Sequence, residues 1–209
     1  MINERDPRNK AKTGDRAAAL AALQSLRPHP PIGSDLLQAF SDQLRAQDGL
    51  VERAASLDDV ARYVVDNIFK AENRELSVAM GSDPLLADLP LDAYGEFKRV
   101  GTESIGHGGV AISVAVAAVA ETGSLVLCSG IDNPTLFNFL PDHHVVVVRE
   151  RDIVGSLEDM WSLLRKHYPQ GLPRAINLIT GPSSTADVAV TFVMGVHGPT
   201  RLHALIMAG

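Results

Sequence analysis

The sequence contains a single cysteine, Cys128, among 209 residues. One thiol cannot form an intrachain disulfide, and it cannot supply a cysteine-rich metal site or an iron–sulfur cluster. Its apolar neighbours Val126 and Leu127 predict a buried thiol on a strand rather than a reactive one. We therefore expect the chain to carry no redox cofactor of its own.

Positive charge and long hydrophobic segments are also scarce. The chain has 19 Lys and Arg against 25 Asp and Glu, a formal net charge of −6. Nucleic-acid binding requires a clustered basic surface, so that function is excluded. The longest apolar run, residues 110–120, is shorter than the roughly 20 residues that cross a bilayer, and the charged N-terminus lacks a signal-peptide core. These features predict a cytoplasmic protein.

The sequence offers little support for metal sites or for familiar catalytic motifs. No His-x-x-x-His spacing and no Gly-x-Ser-x-Gly elbow occurs, which argues against a helix-borne metal site and a serine triad. His144 and His197 adjoin predicted strand ends, but turn and core roles are favoured over a metal site. Residues 101–108 have the glycine spacing of a P-loop, but His107 replaces the lysine that binds phosphate, so a glycine turn is favoured.

Hydrophobic periodicity predicts the fold class. Apolar residues at helical spacing predict helices over residues 17–26, 34–47, 57–70 and 156–167. Short apolar runs predict strands over residues 50–54, 76–80, 114–120, 124–129 and 145–149, and the short 121–123 connection predicts a hairpin. We expect an α/β three-layer sandwich with a mostly parallel sheet plus an antiparallel hairpin. Residues 1–48 would form a tail and helices with a Pro-rich linker, and residues 49–209 the α/β domain.

The closing segment, residues 175–209, has the pattern of a βαβ unit. A short strand ends at Gly181-Pro182, and Ser184 with Asp187 resembles a capping box that opens a helix reaching Gly195. A final buried strand follows Gly198-Pro199. In such a unit the loop after the first strand is a common ligand site, and the helix N-terminus attracts anions. The alternative is that Ser184 and Asp187 only cap the helix.

A second candidate lies at the predicted hairpin tip, where Glu121 could act as a nucleophile or base if burial raised its pKa. An exposed turn carboxylate is the alternative. We combine the two regions into one predicted cleft with Glu121 as the catalytic candidate. Its predicted ligand-binding residues are Thr122, Gly123, Gly181, Pro182, Ser183, Ser184, Thr185, Asp187, His197 and Gly198.

Several blocks of the sequence resemble the lactate utilisation protein C family, which is built on the LUD domain. They are residues 120–127, 140–148, 180–187, 195–199 and 202–203, in order across residues 49–209. The resemblance implies a fold similar to the sugar-phosphate isomerase and CoA-transferase superfamily. It also implies the C component of a three-protein system that oxidises lactate to pyruvate, in which companion proteins hold the iron–sulfur clusters.

Three functional hypotheses remain open. The first is an accessory, regulatory or ligand-binding subunit that binds a small carboxylate, another anion or a partner protein. The second is a CoA-transferase-like or isomerase-like enzyme that uses Glu121; the catalytic Ser-Glu-Asn-Gly of some CoA-transferases is similar, but Ala120 and Thr122 do not match it. The third is a scaffold. A homo-oligomer is compatible with all three.

Overall fold

The computed structural model describes residues 18, 33–72, 76–106, 108–186, 192–194 and 197–208. Two compact units divide the chain, Met1–Pro31 and Ile32–Gly209. Apart from Ala18, the described part does not include the predicted tail, the helix over residues 17–26 or the Pro-rich linker. The predicted domain boundary at residue 48 stays a prediction.

A six-stranded sheet in the order β1-β12-β7-β4-β2-β3 forms the centre of the second unit, and each of its pairings is parallel. Its strands are β1 (Leu50–Ala54), β2 (Ser77–Met80), β3 (Lys98–Arg99), β4 (Val110–Val114), β7 (His143–Arg149) and β12 (Arg201–Met207). Strands buried on both faces read as continuous apolar runs, as β4 and β7 do. The closing strand β12 lies between β1 and β7 in the interior of the sheet.

A second sheet of four strands, in the order β8-β5-β6-β9, contains the predicted hairpin. Its strands are β5 (Ala117–Val119), β6 (Ser124–Cys128), β8 (Ile153–Val154) and β9 (Ile176–Ile179). The chain changes sheets after β4: the Ala115 amide donates to Val147 in the first sheet, and the Val116 amide to Val126 in the second. The predicted α/β class and mostly parallel sheet are confirmed, and the hairpin belongs to a sheet of its own.

Three helices begin at polar caps, and two of these caps, Ser56 and Ser156, are those that the sequence predicted. In α1 (Leu36–Ala46) the Asp35 carboxylate accepts from the Gln38 amide at 2.9 Å. The second helix, α2 (Leu57–Val64), begins at Ser56 and continues through a π-helical turn, Val65–Phe69, to Lys70–Glu72. The third, α3 (Leu157–His167), begins with a complete capping box of Ser156 and Asp159.

These elements stack in layers around three apolar clusters. The α2 helix covers one face of the six-stranded sheet through residues such as Val60, Val64 and Ile68. The opposite face packs on the second sheet, with α1 contributing Phe40 and Leu44. The outer face of the second sheet, including the 5% exposed Cys128, packs on α3. The predicted buried thiol is therefore confirmed, and burial raises its pKa.

The predicted βαβ unit at the C-terminus is wrong. Residues Ser184–Ala186 form a strand, β10, that pairs antiparallel with β11 (Phe192–Met194), so no helix begins at Ser184. Residues 187–191 and 195–196 lie outside the described part. In addition, β9 belongs to the four-stranded sheet and β12 to the six-stranded sheet, so the two strands cannot be joined by a crossover within one sheet.

The physical reason is visible in the composition of the segment. The sequence Val188-Ala-Val-Thr-Phe-Val is rich in β-branched and aromatic residues, which favour strands and lose side-chain freedom in a helix. That preference outweighs the single Ser-x-x-Asp capping signal.

Among the described residues, no helix is long and apolar enough to cross a membrane.

Candidate functional site

Two of the predicted loops meet at a small cavity of about 140 Å³, called here the Ser183 cavity. It lies near the start of β12, where the chain segments after β9 and before β12 approach each other. Its apolar wall includes Leu202 and Ile179, and its polar wall includes Ser183 and His197. The lining residues are Asn138, Phe139, Ile179, Gly181, Ser183, His197, Gly198, Pro199 and Leu202.

Backbone hydrogen bonds hold these two segments together. The Ser183 amide donates to the Pro199 carbonyl at 2.8 Å, and the Thr200 hydroxyl donates to the Asp142 carbonyl at 3.0 Å. A Cβ atom on Gly198 would lie 3.2 Å from the Ser183 Cβ and 3.5 Å from the Asn138 carbonyl oxygen. The packing is therefore tight at this point, and the absence of a side chain at position 198 allows the segments to approach closely.

Glu121 is not among the residues that line the Ser183 cavity. Its Oε2 accepts from the Leu157 amide at 3.1 Å, and its own amide donates to the Gly155 carbonyl at 2.9 Å. The carboxylate is thus bound to the N-terminal turn of α3, where negative charge is favoured by the helix dipole. This contact gives Glu121 a structural role beside the predicted catalytic one.

Thr122 is connected through side-chain hydroxyl groups to the segment that leads to Ser183, whereas Gly123 packs against α1. Hydroxyl groups of Thr122, Ser124 and Thr180 form a chain with two contacts of 2.7 Å each, and Thr180 immediately precedes Gly181. Gly123 has a φ of +71°, and a Cβ there would lie 2.5 Å from the Leu44 backbone nitrogen in α1. Gly123 therefore serves close packing between the hairpin turn and α1.

The other predicted residues occupy different places. Gly181 lines both the cavity and a neighbouring groove of about 340 Å³ that runs along Gln47 and Asp48, whereas Pro182 and Ser184 line only that groove. Thr185 lies in β10, and Asp187 lies outside the described residues. Because β10 is a strand, the predicted helix N-terminus does not contribute to anion binding at this loop, and that part of the prediction is corrected.

Five residues line the cavity without having been predicted as site residues: Asn138, Phe139, Ile179, Pro199 and Leu202. Asn138 is only 4% exposed, and its Oδ1 finds no hydrogen-bond partner among the described residues. Phe139 is 45% exposed and forms part of the cavity lining. Their positions depend on the approach of a turn to Gly198, about sixty residues later, and no local signal in the sequence marks such a contact.

The cavity suits a small molecule with one polar end and one apolar end. The Ser183 hydroxyl and the exposed His197 imidazole offer hydrogen bonds. A volume of about 140 Å³ equals roughly four to five water volumes. By contrast, a more open depression of about 640 Å³ is lined by Asp92 and Glu96, whose carboxylates disfavour an anionic ligand.

A second polar feature, the histidine relay, is buried between α2 and the six-stranded sheet. Tyr63 Oη lies 3.0 Å from His203 Nδ1, and His203 Nε2 lies 3.1 Å from His143 Nδ1. His143 Nε2 in turn lies 3.1 Å from Glu72 Oε1. The two imidazoles are 2% and 1% exposed, so these side chains are core histidines of the kind that the sequence favoured.

The chemistry of the partners sets the direction of the relay. The Glu72 carboxylate can only accept, so His143 donates to it and its Nδ1 must accept from His203. The remaining His203 nitrogen then accepts from the Tyr63 hydroxyl. This arrangement satisfies both neutral rings, and burial lowers the pKa of His143 and, to about 3, that of His203.

His144 occupies the opposite face of the sheet, beside Leu202 on the neighbouring strand. Its Nε2 lies 2.8 Å from the Ser113 hydroxyl, and its Nδ1 has no partner among the described residues. Complete burial lowers its pKa to about 3. His197 lines the Ser183 cavity, and the described part of the chain contains no group of three or more metal-ligating side chains.

Parts of the chain are similar in sequence to proteins that have a name. Lactate utilization protein C of Bacillus subtilis is 32% identical over 101 residues, which are 47% of this chain and 42% of that protein. The protein of the same name from Halalkalibacterium halodurans is 26% identical over 155 residues, 68% of this chain and 67% of that protein. The match thus spans less than half of the Bacillus subtilis relative.

A crystal structure of a DUF162 family protein from Deinococcus radiodurans has a similar fold, with a TM-score of 0.60 and 19% identity. The similarity covers 85% of this chain and 99% of that one. A family profile described as the LUD domain matches residues 98–207, which include β3 to β12 and the Ser183 cavity. Since this match extends over more than half of the 209 residues, the chain belongs to the LUD domain family.

Proposed function

We propose that the protein takes part in lactate utilisation as a subunit that binds a small carboxylate in the Ser183 cavity. The observation that carries this proposal is the convergence of two separate loops, around Ser183 and Gly198, on one cavity of about 140 Å³. The relatives named lactate utilization protein C support the physiological setting. A three-carbon acid matches the size and the two-sided character of the cavity.

Within this proposal the carboxylate lies toward Ser183 and His197, and the carbon chain contacts Leu202 and Ile179. A hydroxyl group and an imidazole N–H can both donate hydrogen bonds to a carboxylate. The subunit would act beside companion proteins that hold the iron–sulfur clusters, in the cytoplasm, and as a monomer or homo-oligomer. The occupancy of the Ser183 cavity would signal the presence of lactate or pyruvate to those partners.

The alternative, an enzyme of the CoA-transferase or isomerase type, has less support. Its nucleophile would be Glu121, whose Oε2 accepts from the Leu157 amide and which does not line the Ser183 cavity. A nucleophile must reach the substrate carbonyl, and Glu121 lies outside the lining of the cavity on which the two loops converge. The binding subunit therefore remains the better proposal.

Calorimetric titration with L-lactate and pyruvate tests the proposed site in the full chain. Gly198→Ala adds a Cβ only 3.2 Å from Ser183, so it narrows the cavity. We expect it to weaken binding at least about tenfold, a change of about 1.4 kcal/mol. The matched control is Gly101→Ala, because a Cβ at Gly101 meets no atom within 4 Å.

Growth on lactate tests the proposed role in lactate utilisation. A strain that lacks the gene should grow poorly on lactate as sole carbon source, and wild-type protein or Gly101→Ala should restore growth. Gly198→Ala, produced at the same level, should restore it poorly. Normal growth of the deletion strain on lactate would contradict the role in lactate utilisation, and full rescue by Gly198→Ala would contradict the role of the cavity.

A further inference from the structure

The strand β9 lies at one end of the four-stranded sheet and, among the described residues, pairs only with β6. The Ala175 carbonyl, just before β9, accepts from the Ser129 amide, just after β6, at 2.9 Å. The backbone groups of Ala175 therefore point toward β6. Because successive residues of a strand direct their backbone groups to opposite sides, those of Ile176 and Leu178 point away from β6, along the open edge of the sheet.

This open edge has few of the features that usually prevent a strand from pairing with another chain. Exposed edges are commonly protected by charged side chains or by proline within the strand. The strand Ile176–Ile179 contains neither, and the Leu178 side chain is 37% exposed. An edge with free backbone groups and an exposed apolar side chain favours the addition of another strand.

The two ends of the edge carry opposite charges. Arg174 is exposed and precedes β9, whereas the exposed Asp48 lines a groove together with Thr180, which follows β9. Gly181 allows this approach, because a Cβ atom there would overlap the Gln47 carbonyl oxygen. Neither Arg174 nor Asp48 forms an ion pair with a described residue. The edge is thus positive where β9 begins and negative where it ends.

We propose that two copies of this chain associate through this edge, with β9 of one copy antiparallel to β9 of the other. A twofold axis pairs the same edge of both copies and makes the two strands antiparallel. The positive end of one edge then meets the negative end of the other, so a second copy of the chain matches the edge in charge. The inference goes beyond the proposed function, because it requires no ligand in the Ser183 cavity.

The alternation of the backbone groups sets the register of the two strands. Outward-pointing residues must lie opposite each other, and an axis at Asn177 places Ile176 opposite Leu178 of the second copy. These side chains lie on the same face of the sheet and form an apolar cross-strand pair. Arg174 then lies opposite the end of β9 of the second copy, beside Asp48 of that copy. The twofold symmetry repeats both contacts.

Sedimentation and hydrogen exchange of the full wild-type chain test the pairing. We expect a mass near twice the 22.3 kDa of one chain. In that dimer the Ile176 and Leu178 amides should exchange at least about tenfold more slowly than unstructured amides. The Asn177 and Ile179 amides, which face β6, should be protected in the single chain as well. A single-chain mass at about 0.5 mM, or a dimer in which the Ile176 and Leu178 amides are unprotected, would overturn the proposal.

Charge reversal at the two ends of the edge tests the register. Arg174→Glu places a carboxylate beside Asp48 of the second copy and should weaken the dimer at least about tenfold. Asp48→Lys should have a similar effect, and the double variant should recover an affinity within about threefold of wild type. The control is Arg151→Glu, at an exposed position in the turn Glu150–Asp152, which leads to β8 at the opposite end of the sheet. It should leave the dimer unchanged.

Recovery in the double variant distinguishes a lost contact from a misfolded chain, because two damaging changes would not restore affinity when combined. A dimer whose affinity is the same in all variants, or is weakened equally by Arg151→Glu, would place the interface elsewhere and contradict the proposal. Failure of lactate binding would contradict the proposed function alone, since the pairing of the two copies requires no ligand.

Discussion

At the scale of single side chains, the candidate site combines residues that the sequence indicates with residues that it does not. Ser183, His197 and Gly198 could be proposed from the sequence because they lie in glycine-rich and proline-rich loops beside predicted strands. Asn138 could not, because its place in the cavity lining depends on burial and on the approach of Gly198 in space. The histidine relay could not be predicted from the sequence either. His143 and His203 lie on different strands, and only the register of β7 and β12 brings them into contact.

The buried histidines predict how stability depends on pH. His144 and His203 have folded-state pKa values of about 3, well below the value of roughly 6.5 in an unfolded chain. As the pH falls below the unfolded-state pKa of roughly 6.5, these histidines become protonated in the unfolded state but stay neutral in the folded state. The free energy of unfolding therefore decreases. Between pH 7 and pH 5 each of these histidines should lower the free energy of unfolding by about 2 kcal/mol.

Urea denaturation at pH 7, 6 and 5 measures this effect. His144→Asn removes one titrating group while keeping a polar side chain near Ser113, so the decrease between pH 7 and pH 5 should shrink by about 2 kcal/mol. In the folded wild-type protein the imidazole NMR signals of His144 and His203 should not titrate over this interval. A pH dependence identical in the variant and the wild type would contradict the explanation.

At the scale of elements, the capping signals identify helices well where the segment that follows has helical periodicity. Ser56 and Ser156 each begin a helix, as the sequence predicted. The same type of signal at Ser184 precedes a β-branched segment, and there a strand forms instead. Local capping stabilises a helix by about 1 kcal/mol, which is too little to overcome a long segment with strand preference and sheet pairing.

Glu121 provides a test at this scale, because it contacts the first turn of α3. Glu121→Gln keeps the shape of the side chain but removes the charge near the helix N-terminus, so the free energy of unfolding should fall by roughly 0.3–1 kcal/mol. Lactate binding should not change. Chemical denaturation and calorimetry measure the two quantities. Glu103→Gln, at an exposed position in the turn Thr102–Ser104, is the control and should alter neither.

A covalent trapping experiment distinguishes this structural role from a catalytic one. After incubation with acyl-CoA donors and treatment with borohydride, the peptide that contains Glu121 should keep its mass, because the carboxylate is engaged with the Leu157 amide. Detection of a reduced glutamyl thioester on that peptide would favour the enzyme hypothesis over the binding subunit.

At the scale of the whole molecule, the sequence predicted the α/β class and the mostly parallel sheet but not the division into two sheets. The strand predicted over residues 114–120 corresponds to β5 in the second sheet, whereas β4, which precedes it in the same apolar run and belongs to the first sheet, was not predicted. Periodicity reports burial and not which strand pairs with which, so pairing across long sequence distances could not be predicted. The Ser183 cavity depends on that pairing.

The binding of a small carboxylate in the Ser183 cavity is most directly tested by two-dimensional amide NMR of the full chain during titration with L-lactate. We expect saturable shifts centred on Gly181, Ser183, His197 and Gly198, while Gly101 and Gly106, where an added Cβ would meet no atom within 4 Å, stay unchanged. Shifts centred instead on the depression at Asp92 and Glu96, or no saturable shift at the cavity, would contradict it.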